Sequence, residues 1–168
     1  MPTRLHKGFE RLLEYIVIAL MVIMTVEVLL GVTYRKIGMS LSWYDEVAEV
    51  TLAWLTYYGS ALAALKGAHI GFPGLLDALK PRLRLPLVII GEFFVFAFFA
   101  ALTWTGVQVL DVLATDTLVS LPQVPVSLTQ SVIPIGGALF MLAEAVRLPE
   151  VLRRAAAPGH LAEQAPEL

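Results

Sequence analysis

The sequence predicts an all-α integral membrane protein, a four-helix bundle with both termini in the cytoplasm, and two patterns predict it. The first is a set of four apolar stretches, each close to or above the roughly 20 residues that a helix needs to cross a bilayer. The second is the placement of the basic residues, which fall almost entirely on one side of these stretches. The predicted spans are residues 12–34, 47–65, 85–110 and 124–143.

The orientation follows from the Lys and Arg residues between the spans, because cytoplasmic loops retain positive charge. Ten of the twelve lie in the N-terminal segment, the loop between the second and third spans, and the C-terminal segment. The other two are Arg35 and Lys36, which directly follow the first span. Both termini are therefore predicted to be cytoplasmic.

The composition limits the function classes. A chain of 168 residues with four spans leaves room for one membrane domain, residues 1–168, and short loops. The absence of cysteine excludes disulfides and thiolate metal sites, and all three histidines lie outside the spans. We expect no catalytic site, no cofactor and no metal. Because the topology accounts for the basic residues, we also expect no nucleic-acid partner.

Three features outside the apolar stretches carry further predictions. Apolar residues at near-helical spacing from Phe72 to Leu79 predict a short cytoplasmic helix on the membrane surface between the second and third spans. Ser42 is predicted to cap the second span, with Asp45 and Glu46 in its first turn. Pro134 predicts a kink in the fourth span, and the polar tail, residues 155–168, is predicted to be disordered.

Acidic residues occur at several depths in the predicted spans. They are Glu27 and Glu49 in the outer half and Glu92 and Glu144 in the inner half. A charged group at such depth costs at least ~2.5 kcal/mol, so each should face protein and find a donor. Glu27 lies about 12 Å below Arg35 at 1.5 Å per residue. Lys66 is predicted to serve Glu92 or Glu144, whereas Glu27 requires a donor on another polypeptide or a protonated carboxyl.

A stretch of the second span and its flanks resembles a known family. Its pattern is a Trp followed by an acidic pair, a second Trp, a Gly-Ser-Ala step, and a basic-Gly-x-His-Ile turn. The residues are Trp43, Asp45, Glu46, Trp54, Gly59, Ser60, Ala61, Lys66, Gly67, His69 and Ile70. The pattern resembles the small membrane subunit of tripartite ATP-independent periplasmic (TRAP) transporters, the DctQ-like family. Arg35 and Pro134-Ile135-Gly136 also match, and the Asp at position 45, where a Glu is expected, is the one departure.

The resemblance, over roughly residues 31–147, implies a non-catalytic scaffold subunit in the bacterial inner membrane. Its partners would be a large multi-span subunit that imports an organic acid with sodium, a periplasmic binding protein at the outer face, and membrane lipid. The implied interface or structural residues are Arg35, Trp43, Glu46, Glu49, Trp54, Gly59 and His69. Of the intramembrane acids Glu27, Glu92 and Glu144, those without a donor in the chain would become contacts to the large subunit. The outer surface from Arg35 to Glu46 would be a docking edge.

Two other hypotheses remain open at this point. A self-contained four-helix exporter could couple proton entry to drug efflux through an embedded carboxylate, Glu14 or Glu27. Glu14 is shallow for that role, three residues past Arg11. The strong charge asymmetry also argues against the dual orientation of some such exporters. A membrane adaptor or assembly factor unconnected with transport is the other alternative, and the identity of its partner would distinguish it.

Overall fold

A computed structural model of the chain describes residues 4–68 and 81–156, and these residues are almost entirely helical. The helices are α1 Arg4–Lys36, α2 Tyr44–Lys66, α3 Pro81–Val112, α4 Val126–Gln130 and α5 Val132–Ala156. The predicted surface helix at residues 72–79, His69 and most of the predicted disordered tail lie outside the described residues. Ala155 and Ala156, which were predicted to belong to that tail, are helical residues of α5.

Three helical segments are long and apolar enough to cross a membrane: Lys7–Lys36, Leu83–Val112 and Val126–Arg153. They correspond to the first, third and fourth predicted spans. The predicted second span is confirmed as a helix of 23 residues, which is long enough to cross. It is not among those three segments, because its mean hydropathy is lowered by one charged residue and three aromatic residues with polar groups: Glu49, Trp54, Tyr57 and Tyr58. The four-span count and the orientation therefore stay predictions.

The four long helices of the predicted bundle pack in a row, in the order α1, α2, α5, α3. Extensive contacts join α1 to α2, α2 to α5, and α5 to α3. Each end helix of the row thus packs against one long neighbour among the described residues. The end helices remain uncovered, with 11% of the most apolar stretch of α1 buried and none of that of α3. The two central helices carry most of the packing.

The core lies toward the end of the row that is predicted to be cytoplasmic, called the inner end below, where small residues bring α2 and α5 together. It consists of Leu13, Ala61, Ala64, Leu65, Phe140 and Ala143. The rings of Phe99 and Phe140 stack with centroids 3.8 Å apart and thereby join α3 to this core. Among the described residues, no atom outside its own helix lies within 4 Å of a Cβ placed on Gly59. The close approach uses the neighbouring alanines instead.

The predicted kink at Pro134 appears as a break between two helices. Helix α4 ends at Gln130 and α5 begins at Val132. Pro134 has no N–H to donate to the Gln130 carbonyl, and its ring would collide with it, so a continuous helix is disfavoured. The Ser131 N–H bonds instead to the Leu128 carbonyl at 3.3 Å. The break also allows the chain to change direction between the outer loop and α5.

Candidate subunit interface and its polar contacts

The outer end of α2 is fastened to the outer loop by a carboxylate. Glu46 accepts hydrogen bonds from the backbone N–H groups of Val119 at 3.0 Å and Ser120 at 2.8 Å. The Ser120 hydroxyl donates to the Ser42 carbonyl at 2.9 Å. The loop closes on itself because the Leu118 N–H bonds to the Val124 carbonyl at 3.0 Å. Glu46, predicted to complement the helix dipole, thus also holds a neighbouring loop in place.

The predicted cap at Ser42 is wrong. Trp43 precedes the helix and no side chain caps its first turn. The Ser42 side chain makes none of the described hydrogen bonds, and only its carbonyl is used. Trp43 itself is half-buried, and the next residue, Tyr44, places its ring over Gly31 of α1, where a Cβ would lie 2.2 Å from the ring. A glycine is therefore required at position 31 for α1 and α2 to meet here.

Glu46→Gln is expected to loosen the outer loop. The hydrogen bond from the Ser120 N–H is the main reason that the pKa of Glu46 lies below its ordinary value of 4.5. Since the folded pKa is lowered, the anchoring is complete above pH 4.5 and is lost as the pH falls through the folded pKa. A spin label on Val119→Cys, a position 89% exposed, should report greater mobility in Glu46→Gln and in the unsubstituted protein below pH 4.5.

The control for that measurement is Asp45→Asn, because Asp45 is an exposed acid in the same helical turn that makes no described bond to the loop. Mobility should be unchanged in Asp45→Asn. Equal mobility in Glu46→Gln and the unsubstituted protein would show that the loop is held by other contacts.

Trp54 joins α2 to α4 within the chain. Its indole Nε1–H donates to the Thr129 carbonyl at 2.9 Å, and Thr129 is buried. The Trp54 ring also lies beside that of Tyr58, with centroids 6.2 Å apart. Because the bond reaches a carbonyl at the break between α4 and α5, Trp54 steadies the part of the chain that cannot form a regular helix.

Trp54→Phe should destabilise the protein by ~1 kcal/mol, because the Thr129 carbonyl loses its donor while the aromatic ring is kept. The measurement is the midpoint of SDS-induced unfolding in mild detergent. Trp104→Phe is the matched control, since Trp104 is 69% exposed on α3. If the two variants unfold at the same midpoint, the indole bond contributes nothing to stability.

At the inner end, Lys66 was predicted to pair with Glu92 or Glu144. It pairs instead with acids of α1. Its ammonium donates to the Glu14 carboxylate, and Glu10 lies 3.8 Å away. The hydrogen bond to Glu14 raises the pKa of Lys66, so its charge is retained at neutral pH. The prediction failed because the side of α2 that carries Lys66 lies against the first helical turns of α1, although α5 with Glu144 is also a neighbour of α2.

Glu144 has its cation one helical turn away. Arg147 lies 3.7 Å from the Glu144 carboxylate and donates to the Ala64 carbonyl at 2.9 Å. Ala64 belongs to the last turn of α2, which closes at Gly67 with φ of 73°. The Ala68 N–H bonds to the Ala63 carbonyl at 2.9 Å, so the turn is a Schellman motif.

This geometry explains the glycine of the basic-Gly-x-His-Ile turn. Gly67 has the left-handed conformation that residues with a side chain rarely adopt. A Cβ placed on it would also lie 2.6 Å from the Arg147 guanidinium. Gly67 was part of the family pattern in the sequence but had no predicted role, and Arg147 was not among the predicted interface residues. The signal available for Arg147 was its spacing of three residues from Glu144.

The remaining candidates are not brought together at one site. Glu27 is buried between α1 and α2 beside Thr51, yet among the described residues neither of its carboxylate oxygens has a hydrogen-bond partner. Glu92 is half-buried on α3, whereas Arg35 and Glu49 are exposed. In the part of the chain that the structure describes, no group of three or more His, Asp or Glu could hold a metal ion.

Comparison with protein families places this chain in a known class of membrane protein. Residues 24–154 match the family described as tripartite ATP-independent periplasmic transporters, DctQ component. A search of curated proteins gives no match. The matched region includes Glu27, Glu46, Trp54, Gly67 and Arg147, and so the Trp54 and Arg147 contacts of α2, whereas Glu14, the partner of Lys66, precedes it. The chain belongs to the DctQ family, the small membrane component of TRAP transporters.

Proposed function

We propose that this chain is the scaffold subunit of a TRAP importer that takes up an organic acid with sodium. The observation that carries the proposal is the family match over residues 24–154. In this function the chain catalyses no reaction and does not itself conduct the substrate. It pairs with a large multi-span membrane subunit that does.

The internal contacts support a structural role. Lys66 fastens α2 to α1, Arg147 fastens α5 to α2, and Trp54 fastens α2 to the break before α5. These polar groups hold helices together at their ends and do not line a path between them. A row of helices fastened in this way is suited to remain fixed while a partner moves.

The orientation belongs to the same proposal. With both termini cytoplasmic in the bacterial inner membrane, the loop anchored by Glu46 faces the periplasm. The edge from Arg35 to Glu46 then lies where a substrate-binding protein would approach. The surface helix predicted at residues 72–79 would lie on the cytoplasmic side.

The exporter hypothesis finds less support. Glu14, one of its two candidate carboxylates, is paired with Lys66 at the inner end of the row. Glu27, the other, is enclosed between α1 and α2 and is 6% exposed. Neither arrangement leaves an acid open to a drug-sized substrate.

The test is affinity purification of the tagged chain, expressed from its native locus and extracted in mild detergent, followed by mass spectrometry. A near-equimolar membrane protein with many more spans is the expected companion. Recovery of the chain alone or as a homodimer would contradict the proposal, and proton-driven efflux by that purified material would favour the exporter.

A further inference from the structure

One side of α2 is left open by the residues that the structure describes, although α2 is central to the row. Its members recur every three or four residues and so form one continuous helical face. This face, the α2 stripe, comprises Asp45, Glu49, Leu52, Thr56, Gly59 and Ala63. The first four are exposed, and the space over Gly59 is open. Helices α1 and α5 pack against other sides of α2, through contacts such as those of Lys66 and Trp54.

The stripe extends well below the outer membrane surface. Three contacts fix the level of α2 against α1: Tyr44 on Gly31, Thr51 on Glu27, and Lys66 on Glu14. Interpolation between them places Glu49 about five helical turns above Lys66 and roughly 10 Å below Arg35, at 1.5 Å per residue. An exposed carboxylate therefore lies within the apolar layer, and no described residue bonds to it.

The end helices differ in the groups that they expose. Helix α1 presents Ile18, Val22 and Val26, and α3 presents Phe93 and Phe98. Their exposed threonines, like Thr56 of the α2 stripe, have their hydrogen bonds satisfied within the helix, since each hydroxyl donates to the carbonyl four residues earlier. These bonds are Thr25 to Met21 at 2.7 Å and Thr105 to Ala101 at 2.8 Å. Such faces are compatible with lipid, which offers no hydrogen bonds.

A carboxylate on the α2 stripe is not compatible with lipid in the same way, because the bilayer interior supplies it with no donor. Protein can supply one. The open space over Gly59 lies further down the same face, where a neighbouring helix backbone could approach closely. The stripe therefore combines a charge that needs a partner with room for that partner to reach it.

We infer that the α2 stripe is the surface on which a transmembrane helix of the large subunit packs. That helix would present a basic or hydrogen-bond-donating side chain to Glu49 and a small residue to Gly59, while the outer faces of α1 and α3 contact lipid. The inference rests on the proposed function and names the surface through which this chain contacts the large subunit.

Gly59→Leu tests the inference against a matched control, Gly91→Leu. Both glycines lie inside helices, and among the described residues no atom outside the glycine's own helix lies within 4 Å of a Cβ placed on either one, so the same bulk is added at two comparable positions. Co-purification of the large subunit should fall at least tenfold in Gly59→Leu and stay unchanged in Gly91→Leu. Equal recovery in the two variants, or loss only in Gly91→Leu, would overturn the inference.

Photo-crosslinking gives a second measurement that does not depend on weakening the complex. A benzophenone side chain at position 56 on the stripe should crosslink to the large subunit, whereas one at position 98 on α3 should not. Crosslinking from position 98 alone would reject the stripe as the contact surface. If the unsubstituted chain recovers no large subunit at all, the proposed function has failed, and not merely the choice of surface.

Discussion

Arg147→Met is expected to destabilise the protein by ~3 to 5 kcal/mol, because it leaves a buried carboxylate without its cation. The side chain of Glu144 is 8% exposed, and Arg147 lies 3.7 Å from it. Arg147 also supplies a donor to the Ala64 carbonyl at the end of α2. The substitution should therefore lower the midpoint of SDS-induced unfolding and loosen the contact between α2 and α5.

The double variant Arg147→Met with Glu144→Gln separates the two contributions. Removing both charges avoids the uncompensated carboxylate, so part of the lost stability should return. The remainder would belong to the Ala64 bond. If the double variant is as unstable as Arg147→Met alone, the pair does not account for the loss, and packing of the Arg147 side chain does.

Gly136→Ala is the second large expected effect. A Cβ on Gly136 would lie 2.6 Å from the Cβ of Tyr57, an atom close to the α2 backbone that cannot move away by side-chain rotation. The two central helices would have to separate, and overpacking of this kind costs ~1 to 3 kcal/mol. The measurement is again the unfolding midpoint in detergent, which should fall.

Gly91→Ala is the control, because Gly91 lies inside α3 with open space around it. Alanine favours a helix over glycine by up to about 1 kcal/mol, so this variant should unfold at an equal or higher midpoint. The opposite direction of the two effects distinguishes a steric clash from a change in helix propensity. A rise in both midpoints would mean that α2 and α5 can adjust without cost.

The acids show how far prediction from the sequence reached. Depth along each helix predicted that buried carboxylates need a partner, and Glu144 does have a cation nearby, since Arg147 lies 3.7 Å away. The assignment of Lys66 to Glu92 or Glu144 was wrong, because depth alone does not say which helices are adjacent. Glu46 was correctly placed in the first turn of α2, but its bonds to Val119 and Ser120 join residues more than 70 positions apart.

The sequence by itself determined the helices, the apolar character of three of them, and the family. These depend on local composition and on residue types at close spacing, which are readable along the chain. Only the tertiary structure decided the order α1, α2, α5, α3 and the contacts that follow from it. Hydropathy cannot predict that order, because an apolar helix face suits lipid and another helix almost equally well. The choice is made by close packing at positions such as Gly31 and Gly136, and by the few polar groups that find one another across helices.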